Sequence, residues 1–390
     1  MENIAHIKSL TCSRCENSFN PDQIQTYCRD CNAPLLTNYD LVSIKNQLDR
    51  DRICHRKKGM WRWMELLPVN DAQNIVSLGE GDTPLLRLNH VGQEIRTANL
   101  FLKDEALNPT GSFKARGLSA AVSKAREFGI NQIVLPSAGN AGAALAAYAA
   151  QAGMDALIYM PASSPLSNIV ESRIMGATVE LIDGLIDQAG RLAERKSAEE
   201  GWFNMSTFKE PYRVEGKKIM GYEIAESFNW KLPDVILYPT GGGTGLVAMW
   251  KAFKELRALG WLETKKLPRM ISVQAEGCAP IVKAIQAGRS ACDPWENAQT
   301  IATGLCVPKS FADQLILKDI RESKGTAVSV SDNDITHWQQ RLAQREGIFA
   351  CPEGAATIAG LDKLIKQGSI LQDETIVLFN TGSGLKYISS

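Results

Sequence analysis

Along the chain, short apolar runs alternate with longer stretches that have helical spacing. Leu100 to Lys103, Ile133-Val134-Leu135, Ala156 to Met160, Thr178 to Ile182, Val235 to Tyr238, Ile271 to Gln274 and Ile376 to Phe379 are too short for helices. They read as strands. Helices are expected from Lys114 onward, over an Ala-rich stretch at about 142–152, over a stretch ending near Met175-Gly176, and over about 187–200. Strands alternating with helices predict an α/β fold of parallel sheets with right-handed crossovers. Residues 41 to about 75 read as an amphipathic connection (Leu41, Ile44, Leu48, Ile53) followed by the aromatic patch Met60-Trp61-Arg62-Trp63-Met64. That patch is expected to pack on the N-terminal segment or on a second subunit.

A length of 390 residues exceeds the usual single domain and suggests two lobes with a small appendage. Lys+Arg and Asp+Glu number 43 each, and no basic block is long enough for a nucleic-acid or membrane surface. The most apolar run, Ala141 to Met160, is interrupted by Gln151, Gly153 and Asp155, so no membrane span is expected. The N-terminus lacks the pattern of a signal peptide, and nine cysteines without one point to reduced thiols and a cytoplasmic protein. His6, His55, His90 and His337 lie outside every motif and receive no role.

Four of the cysteines form two Cys-x-x-Cys pairs, Cys12/Cys15 and Cys28/Cys31, twelve residues apart. Each pair makes a knuckle that aims two thiolates at one point, and together they predict a tetrahedral zinc site with no open position. Residues 1–40 are too few to bury a core alone, so the metal would supply much of their folding energy.

The chemistry centres on Asn108-Pro109-Thr110-Gly111-Ser112-Phe113-Lys114. Asn-Pro and Thr-Gly break the preceding strand, and Lys114 then opens a helix. The positive end of the helix dipole and partial burial favour a neutral amine there, the form that condenses with an aldehyde. Three further strand-to-helix turns are rich in small residues. Ser137-Ala138-Gly139-Asn140 combines close backbone approach with an amide side chain. Gly241-Gly242-Gly243-Thr244-Gly245 exposes backbone N–H groups at a helix start and makes an anion cradle, though it matches neither the Walker A motif nor the dinucleotide fingerprint. The third, Asn380-Thr381-Gly382-Ser383-Gly384-Leu385-Lys386, follows the last strand.

Together these motifs, with the entry Gly81-Asp82-Thr83-Pro84-Leu85, resemble the pyridoxal-phosphate enzymes of the tryptophan-synthase-β type (fold type II), most closely the threonine synthase family. The resemblance covers nearly the whole chain. It implies that Lys114 carries pyridoxal 5′-phosphate as an imine, with Phe113 alongside, and that Asn140 binds the 3′-oxygen of the cofactor. Ser137, Ala138 and Gly139 would hold the substrate carboxylate. The loop Gly241, Gly242, Gly243, Thr244 and Gly245 would hold the cofactor phosphate, and Thr381, with Ser383 second, the ring nitrogen. A hydroxyl there disfavours full carbanion delocalisation and favours elimination and replacement. In Asn204 to Lys217, Asn204, Ser206 and Arg213 match the family's grip on a substrate phosphate; the residue-level alternative is a solvated helix start at Lys209, Arg213, Lys217 and Lys218. Glu276 and Glu353 are expected to line the pocket.

The resemblance implies a two-lobed enzyme with a zinc ribbon at 1–40, a larger cofactor-binding lobe at 41–114 and 206–390, and a smaller inserted lobe at 115–205. The implied reaction converts O-phosphohomoserine and water to threonine and phosphate, in a homodimer as is usual for such families. Two departures, Ala115 and Ala141, stand where the family has aspartate and threonine and make the loop look like that of a dehydratase. Two alternatives follow: a dehydratase or β-replacement enzyme acting on serine, threonine or a phospho-amino acid, and a non-catalytic sensor or scaffold.

Overall fold

The computed structural model describes residues 4–184 and 186–388. The described residues divide into two compact units, the first comprising 4–82, 108–184 and 186–219 and the second 83–107 and 220–388. These boundaries differ from those expected at 40, 114 and 205. The N-terminal ribbon and the segment 41–82 belong to the first unit because their apolar residues complete its core.

That core makes the point directly. Leu10, Cys12, Cys28, Ala33 and Leu35 of the ribbon join one buried cluster with Val76, Leu118, Val122 and Leu145. The ribbon is an antiparallel sheet ordered Ser18–Phe19, Ile7–Cys12, Ala33–Tyr39, Tyr27–Cys28. The aromatic patch turns inward: Met60, Trp61 and Trp63 are buried, and Trp61 Nε1 donates to Glu80 at 3.0 Å and Ser119 Oγ at 2.9 Å. Glu80, itself fully buried, also accepts from Tyr148 OH at 2.6 Å and Leu78 N at 2.9 Å. A buried carboxylate is tolerated because its lone pairs are satisfied.

The main sheet of the first unit is parallel, ordered Phe203–Asn204, Gln132–Pro136, Asp155–Pro161, Thr178–Ile182. The second unit carries a six-stranded sheet ordered Thr326–Val330, Arg269–Ala275, Val235–Pro239, Ile376–Asn380, Leu100–Asp104, Leu85–Arg87, parallel except for the last pair. All seven expected strands form. The expected helices form at Lys114–Glu127, Asn140–Ala152, Leu166–Ile174 and Ile186–Glu200. The fold is thus α/β with parallel-rich sheets.

One packing detail positions the chemistry. The helices Lys114–Glu127 and Tyr212–Ser227 meet in their first turns through two glycines. A Cβ on Gly216 would lie 2.0 Å from the carbonyl oxygen of Arg116, and one on Gly117 would lie 2.8 Å from that of Arg213. Only hydrogen side chains let the two backbones approach this closely, and a backbone carbonyl cannot step aside as a flexible side chain could. Gly216→Ala should therefore lower the unfolding free energy by about 1–3 kcal/mol, the usual penalty for overpacking. Urea titration measures this, and an unchanged midpoint would mean that the two helices part freely.

Candidate active site

Each unit presents its polar loops at the carboxyl ends of its parallel strands, where open α/β sheets bind ligands. In the first unit, Ser137 to Asn140 follow the strand Gln132–Pro136, and Met205 and Ser206 follow its parallel neighbour Phe203–Asn204. The Ser137 hydroxyl donates to Gly139 O at 2.9 Å and accepts from the amides of Gly139 at 3.2 Å and Gly142 at 2.9 Å. Its side chain therefore shapes the turn, leaving the small backbone at Ala138 and Gly139 to face outward chemistry. Asn140 is the first residue of its helix.

Lys114 opens its helix as expected, with Phe113 at the N-cap and its Nζ 4.3 Å from the centroid of the Phe113 ring. Thr110 and Gly111 adopt positive φ of 59° and 64°, forming the tight turn that the Asn-Pro-Thr-Gly sequence implied.

Asn204, Ser206 and Arg213 come together. Asn204 Oδ1 accepts from the Ser206 amide at 2.9 Å and hydroxyl at 2.5 Å, and Arg213 Nη1 donates to Met205 O at 2.7 Å. The solvated-helix alternative fails here. Arg213, Lys217 and Lys218 are at most 1% exposed, because the helix face that carries them packs into the unit. Lys218 pairs with Glu215 at 2.8 Å and sits 3.8 Å from the Tyr39 ring centroid of the ribbon. Sequence reasoning missed Glu210, whose buried carboxylate accepts from the amides of Tyr212 (2.7 Å) and Arg213 (3.1 Å) and so starts the helix. Burial pushes its carboxyl up to about 7, against the pull of Arg213. The burial of Lys217, read from the sequence only as part of a solvated helix start, was also missed. Two consecutive lysines ahead of the apolar Ile219-Met220-Gly221-Tyr222 were the available signal.

In the second unit the strands Val235–Pro239 and Ile376–Asn380 are parallel neighbours, so the glycine loop and Thr381 emerge side by side. Gly243 has φ +80° and caps the 16-residue helix Thr244–Leu259, aiming its first amides at the strand ends. Cβ atoms on Gly241, Gly243 and Gly245 would lie 2.1 Å from Gly304 O, 2.2 Å from Ile316 Cδ1 and 2.0 Å from the Tyr238 hydroxyl. The loop is bare because it packs directly on Gly304, Ile316 and Tyr238, which leave no room for a side chain at these positions. Its bare amides at a helix start fit a phosphate dianion. Thr381 is buried with its Oγ1 3.6 Å from Cys351 Sγ, and Ser383 caps a short turn through the Leu385 amide. Asn380 donates to Asp104 at 2.8 Å, and burial raises that carboxyl. Glu353 is buried and accepts from Gly304 N at 2.7 Å, directly behind the cradle, whereas Glu276 is a surface residue paired with Lys363 at 3.3 Å. The expectation for Glu276 is thus corrected: it follows its strand on the solvent side.

The four ribbon thiols converge, with all four sulfurs within 4.8 Å of one another and adjacent pairs at 3.2 to 3.8 Å. A tetrahedron of thiolates about 2.3 Å from zinc has edges of about 3.8 Å. The cluster is therefore compatible with a zinc site. Asn32 adopts φ 49°, the left-handed geometry a second knuckle requires.

Residues 76–382 match the family model described as pyridoxal-phosphate dependent enzyme. The chain belongs to that family. It is 39% identical to a threonine synthase of Methanosarcina acetivorans over 97% of this chain and 92% of the relative. It is 36% identical to one of Methanocaldococcus jannaschii over 96% and 92%. It is therefore a threonine synthase-like lyase. Among solved structures, maize serine racemase aligns with TM-score 0.67 at 22% identity, covering 77% of this chain and 88% of that one. A processed threonine deaminase of Solanum lycopersicum aligns at 0.66 and 24%, covering 77% and 79%. At that identity the likeness speaks to fold alone.

The role of Ser137 is open to measurement. Ser137→Ala should cost about 1–2 kcal/mol and speed hydrogen exchange at the Gly139 and Gly142 amides; unchanged protection would mean that the turn holds without the hydroxyl.

Proposed function

We propose that the chain converts O-phosphohomoserine and water to threonine and phosphate. The observation that carries this reading is the likeness to threonine synthases across nearly the full length of both chains. It is supported by the grouping of buried Asn204 and Arg213 with the half-buried Ser206, polar residues suited to an anionic group at the far end of an amino acid.

In this reading Lys114 carries the cofactor, with Phe113 and Asn140 next to it in the chain's own turns. The Gly241–Gly245 amides take its phosphate, and the Thr381 hydroxyl takes the ring nitrogen. When bound, pyridoxal phosphate supplies the electron sink that lets protons leave carbon beside the amino group. The protein contributes the rest. The turn Ala138-Gly139 at the start of the helix Asn140–Ala152 holds the substrate carboxylate by its amides. Arg213 fixes the leaving phosphate. Once released by substrate, the Lys114 amine takes a proton from one carbon and returns it to another, which needs it neutral and mobile. Thr381 offers a hydroxyl and no charge, so the ring nitrogen is not forced to hold a proton, and elimination is favoured over transamination.

Ala141 favours one second reading, dehydration of a hydroxy-amino acid, because it offers no hydroxyl beside Asn140. Incubation with O-phosphohomoserine distinguishes the two. Equimolar threonine and phosphate are expected, and Lys114→Ala should reduce turnover by about a thousandfold or more and abolish its visible absorbance band. Oxoacid and ammonia from serine or threonine, with no phosphate released from O-phosphohomoserine, would overturn the proposal.

We also propose that Cys12, Cys15, Cys28 and Cys31 bind one structural zinc. Metal analysis should find one ion per chain. Cys12→Ser should lower thermal stability while leaving turnover per folded molecule little changed. A metal-free Cys12→Ser protein with wild-type stability would exclude a structural role.

A further inference from the structure

Two thiols outside the ribbon meet beside the glycine loop of the second unit. Cys278 closes a tight turn after the strand Arg269–Ala275, its amide donating to Ala275 O at 2.9 Å. The segment 299–307 crosses that turn. The Gln299 amide donates to Gly277 O at 3.3 Å, and a Cβ on Gly277 would lie 1.9 Å from Gln299 O. Farther along, Thr303–Leu305 makes one short helical turn, and the Cys306 amide donates to Thr303 O at 3.2 Å. The crossing brings the thiols of Cys278 and Cys306 into direct hydrogen-bonding contact, with the Val307 amide also reaching the Cys278 sulfur. Both are free thiols, Cys278 fully buried and Cys306 half-buried.

Cys306 follows Gly304 by two residues, and Gly304 belongs to the wall behind the cradle. A Cβ on Gly241 would lie 2.1 Å from Gly304 O and 3.0 Å from Val307 Cγ2, and the Gly304 amide donates to buried Glu353 at 2.7 Å. The two sulfurs differ in a way that assigns their roles. The Cys278 thiol donates to Cys306, which brings the Cys306 thiol down to about 7 against burial and the charge of Asp332. The same contact, together with burial, pushes Cys278 up. The half-buried sulfur is therefore the thiolate open to a reagent, and the buried one is the partner that resolves it. Cys292 and Cys351 are also buried, but their charged neighbours are the carboxylates of Asp313 and Glu353. Burial first, and then those carboxylates, push both thiols up.

We propose that Cys278 and Cys306 are a reversible redox site, closed by a low-molecular-weight disulfide, and that closure loosens the cradle's hold on its phosphate. The second clause rests on the reading that Gly241–Gly245 take the cofactor phosphate; the first does not. The Cys306 thiolate attacks one sulfur of the small disulfide, forming a mixed disulfide and releasing one small thiol. Cys278 then gives up its proton and attacks the Cys306 sulfur, which breaks the mixed disulfide and releases the second small thiol. The protein pair loses two electrons, the reagent gains them, and the two protons end on the released thiols. The new bond holds the sulfurs closer than non-bonded contact allows, and residue 306 moves with its sulfur. Gly304 and Val307 must then shift against Gly241, where the packing leaves no slack. Under reducing conditions the pair stays open, and closure is a transient response.

Oxidised glutathione is the probe. The enzyme loaded with pyridoxal phosphate is treated with an excess of it, unfolded, alkylated at its remaining thiols and mapped by peptide mass. The expected result is one peptide pair joined through Cys278 and Cys306 and reopened by dithiothreitol, with Cys292 and Cys351 alkylated. Equilibrium dialysis should show the oxidised enzyme binding its cofactor at least about fivefold more weakly, the lower end of the usual coupling between two sites. Cys278→Ser should stop at the mixed disulfide on Cys306. Cys306→Ser should form no link and keep its cofactor through the treatment. Reduced, both variants should match the wild type in absorbance and turnover. Failure of the wild type to form the Cys278–Cys306 link would overturn the redox site. A link that leaves cofactor affinity unchanged, or equal cofactor loss in Cys306→Ser, overturns the coupling to the cradle. Should Cys278→Ser fail to fold, wild type and Cys306→Ser decide alone. Reduced wild type that takes up no pyridoxal phosphate discards the cofactor reading while a mapped link stands. A loaded enzyme that never forms the link does the reverse.

Discussion

The close crossing of the helices that begin at Lys114 and Tyr212 is the constraint from which the first unit's chemistry follows. Each helix gives up a side chain, at Gly117 and Gly216, and in return each backbone comes within contact of the other's carbonyl. Side chains one turn along from these glycines are then pressed together with little room for water. Arg213 and Lys217 are buried because the crossing buries them, and the Phe113 ring closes one side of the lysine. Helices of ordinary separation, about 8–10 Å between axes, would leave the same residues at a wetter and less demanding surface.

On the proposed reading the two units would handle anions by different means. In the second, negative charge would meet fixed donors, the amides of a glycine turn at the start of the helix Thr244–Leu259. Such donors do not titrate, lose no side-chain entropy and admit no side chain in the space they frame. In the first, on the proposed reading, the donors would be mobile side chains, Arg213 and the Ser206 hydroxyl. A permanent guest is best served by rigid amides, whereas a group that must arrive, react and leave is better served by charges that strengthen on binding and relax afterwards. The division of labour matches a resident cofactor and a transient phosphate.

Much of this was visible in the chain. The strands stood out because parallel strands buried on both faces are continuous apolar runs, and the turns because glycine and proline punctuate them. Lys114, Gly241–Gly245 and the four cysteines were found because each depends on local spacing that a sequence displays. Lys217 was passed over for the opposite reason. Its burial is set by a helix nearly a hundred residues away in sequence and by a glycine whose role is to make room. Cys351 was missed likewise, since nothing adjacent in the chain announces that its thiol will lie beside Thr381. The unit boundaries shifted because the ribbon's apolar residues have no core of their own and complete another's.

The ribbon therefore deserves a different description from that of an appendage. Tyr39, at the end of its last strand, lies over the Lys218 ammonium, and Tyr27 lies 4.5 Å from that of Lys209. Both lysines flank Arg213 in sequence, so the ribbon braces the segment that carries the buried cations. The buried Lys218 contact is of the kind that contributes about 2 kcal/mol, and the half-buried Lys209 contact contributes less. The strands that hold these rings are fixed by knuckles whose four sulfurs lie within 4.8 Å of one another. Anchoring the thiols thus limits the motion of Tyr39, Tyr39 limits that of Lys218, and the helix turn shared by Lys217 and Lys218 keeps its register. A metal held by these thiols would thus serve the stability of the first unit, in which the ribbon's residues complete the core, and not the chemistry itself.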